Sequence, residues 1–148
     1  MSLHGKILTD FKARIDAGAY ATPEQTADDR MLLLQIVLKC ADISNVCRIW
    51  PVAEAWTKRV SDEFLQQGDE LRSRGIEPEA MFDREKFKSP AHGVLFFIQF
   101  LAQPLWDALA SVLPTAVPFA DQLKENTKMF ENRKQEWEDQ QAAQLSTA

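Results

Sequence analysis

Residues 29–45 read DRMLLLQIVLKCADISN, and the fold class follows from how that run is read. Between Met31 and Leu38 only Gln35 is polar, so a helix over about 29–41 is apolar on nearly every side and takes a central place, buried on most sides. Asp28 and Asp29 put negative charge at its start, where the helix dipole favours it. Ser44-Asn45 ends the run.

Upstream, Ile7, Leu8, Phe11 and Ile15 form a helical apolar face that closes at Gly18, so a first helix is expected over about Ser2 to Ala17. Residues 19–27 hold Thr22-Pro23 and no apolar pattern, which makes them a loop. Downstream, Pro51 suits a first helical turn, and a helix runs to about Arg74 with Val52, Trp56, Val60 and Phe64 stepping by four along one face. Gly75 closes that helix, and 76–90 is an irregular connection. A further helix is expected over about Gly93 to Leu113, kinked at Pro104. After Pro118, Leu123, Phe130 and Trp137 recur every seven residues in a last amphipathic helix, with a frayed tail over 141–148. With no strand alternation and no internal repeat, the class is all-α: a helical assembly of about five main helices.

The chain has 148 residues, 17 basic and 22 acidic, for a net charge of −5. A nucleic-acid partner would need a basic surplus gathered on one face, so that class is set aside. At this length roughly 68–70% of the unfolded surface is buried on folding, enough for a core without staples. Cys40 and Cys47 lack CxxC spacing and neighbouring histidines, which points to reduced thiols in a cytoplasmic protein. The N-terminal sixteen residues carry charges throughout, unlike a signal peptide. Residues 94–113 are the one membrane candidate. Gln99, Gln103, Asp107 and Ser111 draw a polar stripe along them and Pro104 interrupts them, as in a core helix and not a membrane span.

The segment with chemistry to explain is Lys39-Cys40-Ala41-Asp42-Ile43-Ser44-Asn45. It sets a carboxylate and a carboxamide three positions apart at the end of an apolar helix. A carboxylate at the edge of a core needs a partner: a metal ion, a basic side chain or a helix cap. Read without context, a terminal turn with local backbone hydrogen bonds is the commoner arrangement.

The wider text is informative. KCADISN at 39–45, WTKRVSDEFLQQGDE at 56–70, Met81-Phe82-Asp83, and FIQFLAQPLW at 97–106 together closely resemble the class I cyclic-nucleotide phosphodiesterase catalytic domain, in order and spacing. The resemblance implies that Asp42 is a metal ligand, and that zinc with magnesium or manganese is held by the complete domain. It places Asn45 in the nucleotide pocket and Trp56, Thr57, Val60 and Phe64 on the wall of the base-binding region. Met81 matches a pocket-rim methionine, and Phe97 the phenylalanine that stacks on the purine. The partner implied is a cyclic nucleotide, cAMP or cGMP, and the role signal transduction. For the four-step stripe on the third helix, ordinary core packing is the plainer fate, and pocket walls are themselves built from such side chains.

Departures from the pattern matter equally. The family's purine-binding glutamine falls on Val94 when counted back from Pro104 and on Gly93 when counted forward from Met81, which implies an insertion near His92. Gln99 lies too far along the helix to substitute. The only histidines are His4 and His92, and no His-Asp pair accompanies them, whereas two-metal phosphodiester hydrolysis needs several histidines, a second aspartate and a general acid. His4 and His92 are read as a surface and a loop residue, and no catalytic residue is assigned. Met1-Ser2-Leu3-His4 resembles a stretch inside the family's domain. On this reading residues 1–140 are the C-terminal part of a catalytic domain, inactive alone because a catalytic zinc typically keeps three protein ligands. The alternative is a non-catalytic helical module for partner binding or oligomerisation. In either case a helix apolar all round loses part of its cover, and the exposed patch favours association.

Overall fold

The structure, a computed structural model, describes residues 3–146. Among these there are helices and no strands. Helix α1 spans Leu3–Asp16, α2 Ala27–Asp42 and α3 Trp50–Ser73; α4 (Pro90–Phe97) and α5 (Gln103–Val112) are joined without a break by a π-turn at Ile98–Ala102, and α6 spans Val117–Ser146. Counting the α4–α5 rod once, five main helices make the assembly, as the apolar periodicities lead one to expect. Short 3₁₀ turns at Ser44–Cys47 and Pro114–Ala116 link α2 to α3 and α5 to α6. The Ser2 start expected for the first helix lies outside the described residues.

Capping chemistry sets the boundaries. Helix α2 begins two residues before Asp29 because Thr26 is its N-cap, its Oγ1 accepting from the Asp29 N–H at 3.1 Å. Asp29 is buried there, paired with Arg14 of α1, and Tyr20 Oη donates to its carbonyl at 3.1 Å. The hydrogen bond from Thr26 foremost, with Arg14 beside it, holds the Asp29 carboxyl below its ordinary pKa. The α4–α5 rod starts at Pro90, three residues earlier than expected, with Ser89 as N-cap. Pro104 cannot donate to the turn before it, and the irregularity spreads over 98–102 as a π-turn instead of a kink at the proline.

The core gathers Phe11 of α1, Ile36 and Cys40 of α2, Val46 and Cys47, Ala53 of α3, and Val94, Ile98, Leu105 and Leu109 of the rod, closed by Leu123 and Phe130 of α6. Burial pushes both thiols up to about 12, so Cys40 and Cys47 stay protonated and inert as small core residues. The run Pro90–Val112 is long and apolar enough to cross a bilayer by length and composition alone. In this fold it packs against α1, α2, α3 and α6, and its polar stripe faces water, with Gln103 donating to Asp107 at 2.8 Å.

Three expectations are corrected. Helix α2 is not buried on most sides: Ile36 and Cys40 are, but Met31, Leu34 and Leu38 are 58%, 61% and 71% exposed, because nothing among the described residues covers that face. On α3 the buried residues are Ala53, Thr57 and Leu65, one position round from the Val52-Trp56-Val60-Phe64 stripe, and Gly68, which continues the stripe; the first two members of the stripe are exposed. Close approach favours small residues there: a Cβ on Gly68 would stand 1.8 Å from the Phe82 carbonyl oxygen. Helix α6 continues through Ser146, so the stretch expected to fray is helical from 141 to 146, although 142–146 are exposed. Residues 147 and 148 lie outside the described residues.

Candidate functional site

Asp42 is the last residue of α2, exposed, and the chain then turns through Ser44–Cys47 with Asn45 half-buried. Two backbone bonds flanking this corner, Ile43 N–H to Lys39 O at 3.3 Å and Arg48 N–H to Asn45 O at 3.4 Å, are long. What holds the corner is α6. Asn126, wholly buried, donates from Nδ2 to the carbonyls of Val46 and Arg48, each at 2.7 Å, while its Oδ1 accepts from Gln122 at 3.1 Å. Four residues on, Phe130 packs edge-on against Trp50 with centroids 4.8 Å apart, and Arg133 Nε donates to Glu54 at 2.9 Å.

The α3 residues singled out by resemblance occupy a gradient of exposure. Trp56 is 46% exposed, with the Arg59 guanidinium 6.0 Å from its ring centroid. Thr57 is buried, and its hydroxyl donates to the Ala53 carbonyl at 2.9 Å, so it is already engaged within the helix. Val60 and Phe64 are half-buried. The Phe64 ring lies 5.1 Å from that of Phe82, beside Met81, which is exposed. This turn is fastened by Asp83, whose carboxylate is buried and accepts from Arg72 at 2.9 Å and the Glu85 N–H at 3.0 Å, with Lys86 Nζ 3.1 Å from its other oxygen. The Glu85 N–H foremost, then Lys86 and Arg72, keep its pKa below the ordinary carboxylate value.

On the rod, Phe97 is half-buried against the core, while Phe96 and Phe100 are exposed and stack on each other at 4.6 Å. The two candidates for the glutamine position differ. Val94 points into the core, whereas a side chain at Gly93 would meet open space. An amide at 94 would therefore be buried among apolar groups, and one at 93 would be free to reach out. His92 is tied elsewhere: Nδ1 is 2.8 Å from Ser89 Oγ, Nε2 is 3.4 Å from a Glu138 oxygen, and its ring meets Trp137 edge-on. Burial lowers its pKa. The side chain of His4 lies outside the described residues.

These side chains share no enclosed cavity. A groove of about 600 Å³ between the rod and α6 is lined by Leu95, Gln99, Gln103, Glu131 and Lys134 among others, none of them a candidate. A smaller cleft of about 210 Å³ between α3, α6 and the start of α4 includes Thr57 alone of the set. Among the described residues no three His, Cys, Asp or Glu side chains stand together as a metal site. Asp42 alone does not fit a zinc cage, which needs about three protein ligands. Asn126 escaped the sequence reading, and Asp83 entered it only as part of the Met81-Phe82-Asp83 word, without its role as the buried fastening of that turn. The signal for Asn126 was present: a polar residue on the apolar stripe that joins Leu123 to Phe130.

With that geometry in hand, comparison with known proteins is direct. Residues 1–123 match the model of the 3'5'-cyclic nucleotide phosphodiesterase family, and the chain belongs to it. It is 32% identical over 138 residues to mouse 3',5'-cyclic-AMP phosphodiesterase 4C, an alignment covering 90% of this chain and 20% of the mouse protein. Against the Drosophila melanogaster 3',5'-cyclic-AMP phosphodiesterase, isoform F, identity is 30% over 137 residues, covering 89% of this chain and 20% of that protein. The chain thus spans about a fifth of the length of these relatives. Among solved structures it superposes on LmjPDEB1 in complex with IBMX with a TM-score of 0.79 and 26% identity, covering 89% of this chain and 39% of that one. Its fold is accordingly part of a phosphodiesterase helical domain.

Proposed function

We propose that this chain supplies the base-side wall and one metal-ligating carboxylate of a cyclic-nucleotide phosphodiesterase site, and that by itself it is inactive. The observation carrying this reading is the exposed Asp42 at the end of α2, beside the Asn45 turn, in a chain whose family match runs through both. In the reading, Trp56, Val60, Phe64, Met81 and Phe97 offer apolar surface to a purine and Asn45 an amide to its edge, with Thr57 packed behind them. The remaining metal ligands and the general acid come from helices outside these 148 residues. The metals are zinc with magnesium or manganese, the substrate is cAMP or cGMP, and the setting is cytoplasmic signal transduction. The two buried, unbridged cysteines agree with that compartment.

A lone carboxylate sets the expectation: the purified chain hydrolyses neither cAMP nor cGMP with added Mg²⁺ or Mn²⁺. Complemented with a polypeptide carrying the remainder of the catalytic domain of the mouse relative, it gains hydrolysis, and Asp42→Ala removes the gain. Turnover by the chain alone, lost in Asp42→Ala, overturns the claim of inactivity. Complementation that survives Asp42→Ala overturns the assignment of Asp42.

The second reading, association through an exposed apolar face, is favoured by Met31, Leu34 and Leu38 along α2. Sedimentation tests it: self-association at micromolar concentration is expected, and a strictly monomeric profile counts against it.

A further inference from the structure

We propose that Asn126 is the positioning residue for the Asp42–Asn45 corner, fixing from α6 where the carboxylate and the amide stand. An asparagine in the interior of a long helix is a poor helix former, and burying its amide is costly unless every group is paired. Asn126 is wholly buried with both kinds of capacity in use: Nδ2 serves Val46 O and Arg48 O at 2.7 Å each, and Oδ1 takes the Gln122 amide at 3.1 Å. These bonds reach 80 and 78 residues back along the chain. They engage the second half of the 3₁₀ turn and the residue that follows it, while the backbone bonds flanking the turn, Ile43 N–H to Lys39 O and Arg48 N–H to Asn45 O, are long at 3.3 and 3.4 Å. The end of the corner away from Asp42 is therefore held by a side chain on another helix. Leu123 and Phe130, on the same stripe, bury α6 on either side and keep Asn126 in register. Asn126 also lies beyond the stretch that matches the family model, 1–123.

The importance of the corner rests on the proposed nucleotide site, but the positioning is measured without any nucleotide. In the ¹⁵N-labelled chain, Asn126→Asp keeps the shape and loses the donors, and Gln122→Ala removes only the support behind Oδ1. Asn126→Asp is expected to speed amide exchange at Val46, Cys47 and Arg48 by about tenfold and to move the Asn45 side-chain amide pair, while exchange in α1 is unchanged. Gln122→Ala gives the same pattern at smaller amplitude, and Thr127→Val, whose hydroxyl serves only Leu123 O within α6, leaves it untouched. An unmoved Asn45 signal, or faster exchange spread evenly over the chain, overturns the proposal. If Asn45 moves while the complemented chain never hydrolyses cAMP, the positioning stands and the nucleotide reading falls.

Discussion

The two sides of α2 are made of the same residue types and meet opposite fates. Ile36 and Cys40 vanish into a core closed by α6, whereas Met31, Leu34 and Leu38, on the same helix, stand in the open. Buried polar groups elsewhere are paired: Asn126 on two carbonyls, Asp29 on Arg14 and Thr26, Asp83 on Arg72 and Lys86. The residues that resemble a nucleotide site include three that are likewise exposed, Asp42, Trp56 and Met81. The lesson is that stability and candidate function occupy different faces. The first rests on buried, paired side chains; the second has residues but no enclosure.

The largest effect that would sharpen this contrast is expected at the closed side. Phe130→Ala removes a ring that is buried against Trp50 and the core, and should cost about 3–5 kcal/mol in denaturant unfolding. A loss below ~1 kcal/mol would mean that α6 is only loosely held. Next comes the pair at the glutamine position. Val94→Gln buries an amide in the core and should cost about 1–3 kcal/mol. Gly93→Gln, in a helix and in open space, should change stability by less than ~1 kcal/mol and in the stabilising direction. Equal costs at the two positions would show that the rod is rotated from the orientation described.

Acid should attack the buried, paired carboxylates selectively. Unfolded, the Asp29 and Asp83 carboxyls titrate near 3.8, and folding lowers both. The native state then binds fewer protons, so the stability they contribute is whole above about pH 3.8 and is lost as pH falls through the lower folded values. His92, lowered from 6.5 by burial, acts earlier in the same direction: stability falls as pH drops below about 6.5. Melting temperatures followed from neutral to strongly acid pH should show both descents. Asp83→Asn should flatten the lower one, and an unaltered acid limb would dismiss the clamp.

The smallest expected effect on stability belongs to the open side. Leu34→Gln with Leu38→Gln should leave the unfolding midpoint within ~0.5 kcal/mol of the parent while abolishing any self-association seen in sedimentation. A destabilisation of ~2 kcal/mol or more would mean that this face is covered within the chain, and the contrast would be lost.

How much of this was legible beforehand differs residue by residue. Gly18, Gly75 and Pro51 mark helix ends through local chemistry, and the observed limits follow them closely, whereas the starts set by Thr26 and Pro90 come two and three residues earlier than expected. Asp42, Asn45 and Met81 were picked out because their neighbours form distinctive words in a fixed order. Asn126 was not, and Asp83 was quoted without its clamping role, because their importance lies in partners: Val46 and Arg48 for one, Arg72 of α3 for the other. Hydrophobic periodicity also located the α3 stripe without saying which edge of it faces inward, and the fold turned the helix by one residue.

The amino-acid sequence by itself determined the all-α class, the helices and their ends, and membership of the phosphodiesterase family, because periodicity, caps and motif words are short-range properties of the chain. Only the tertiary structure decided that α2 is half open, that Val94 rather than Gly93 enters the core, and that α6 grips the Asp42–Asn45 corner. Each of those depends on which distant surface arrives beside a given side chain, and no local rule specifies that.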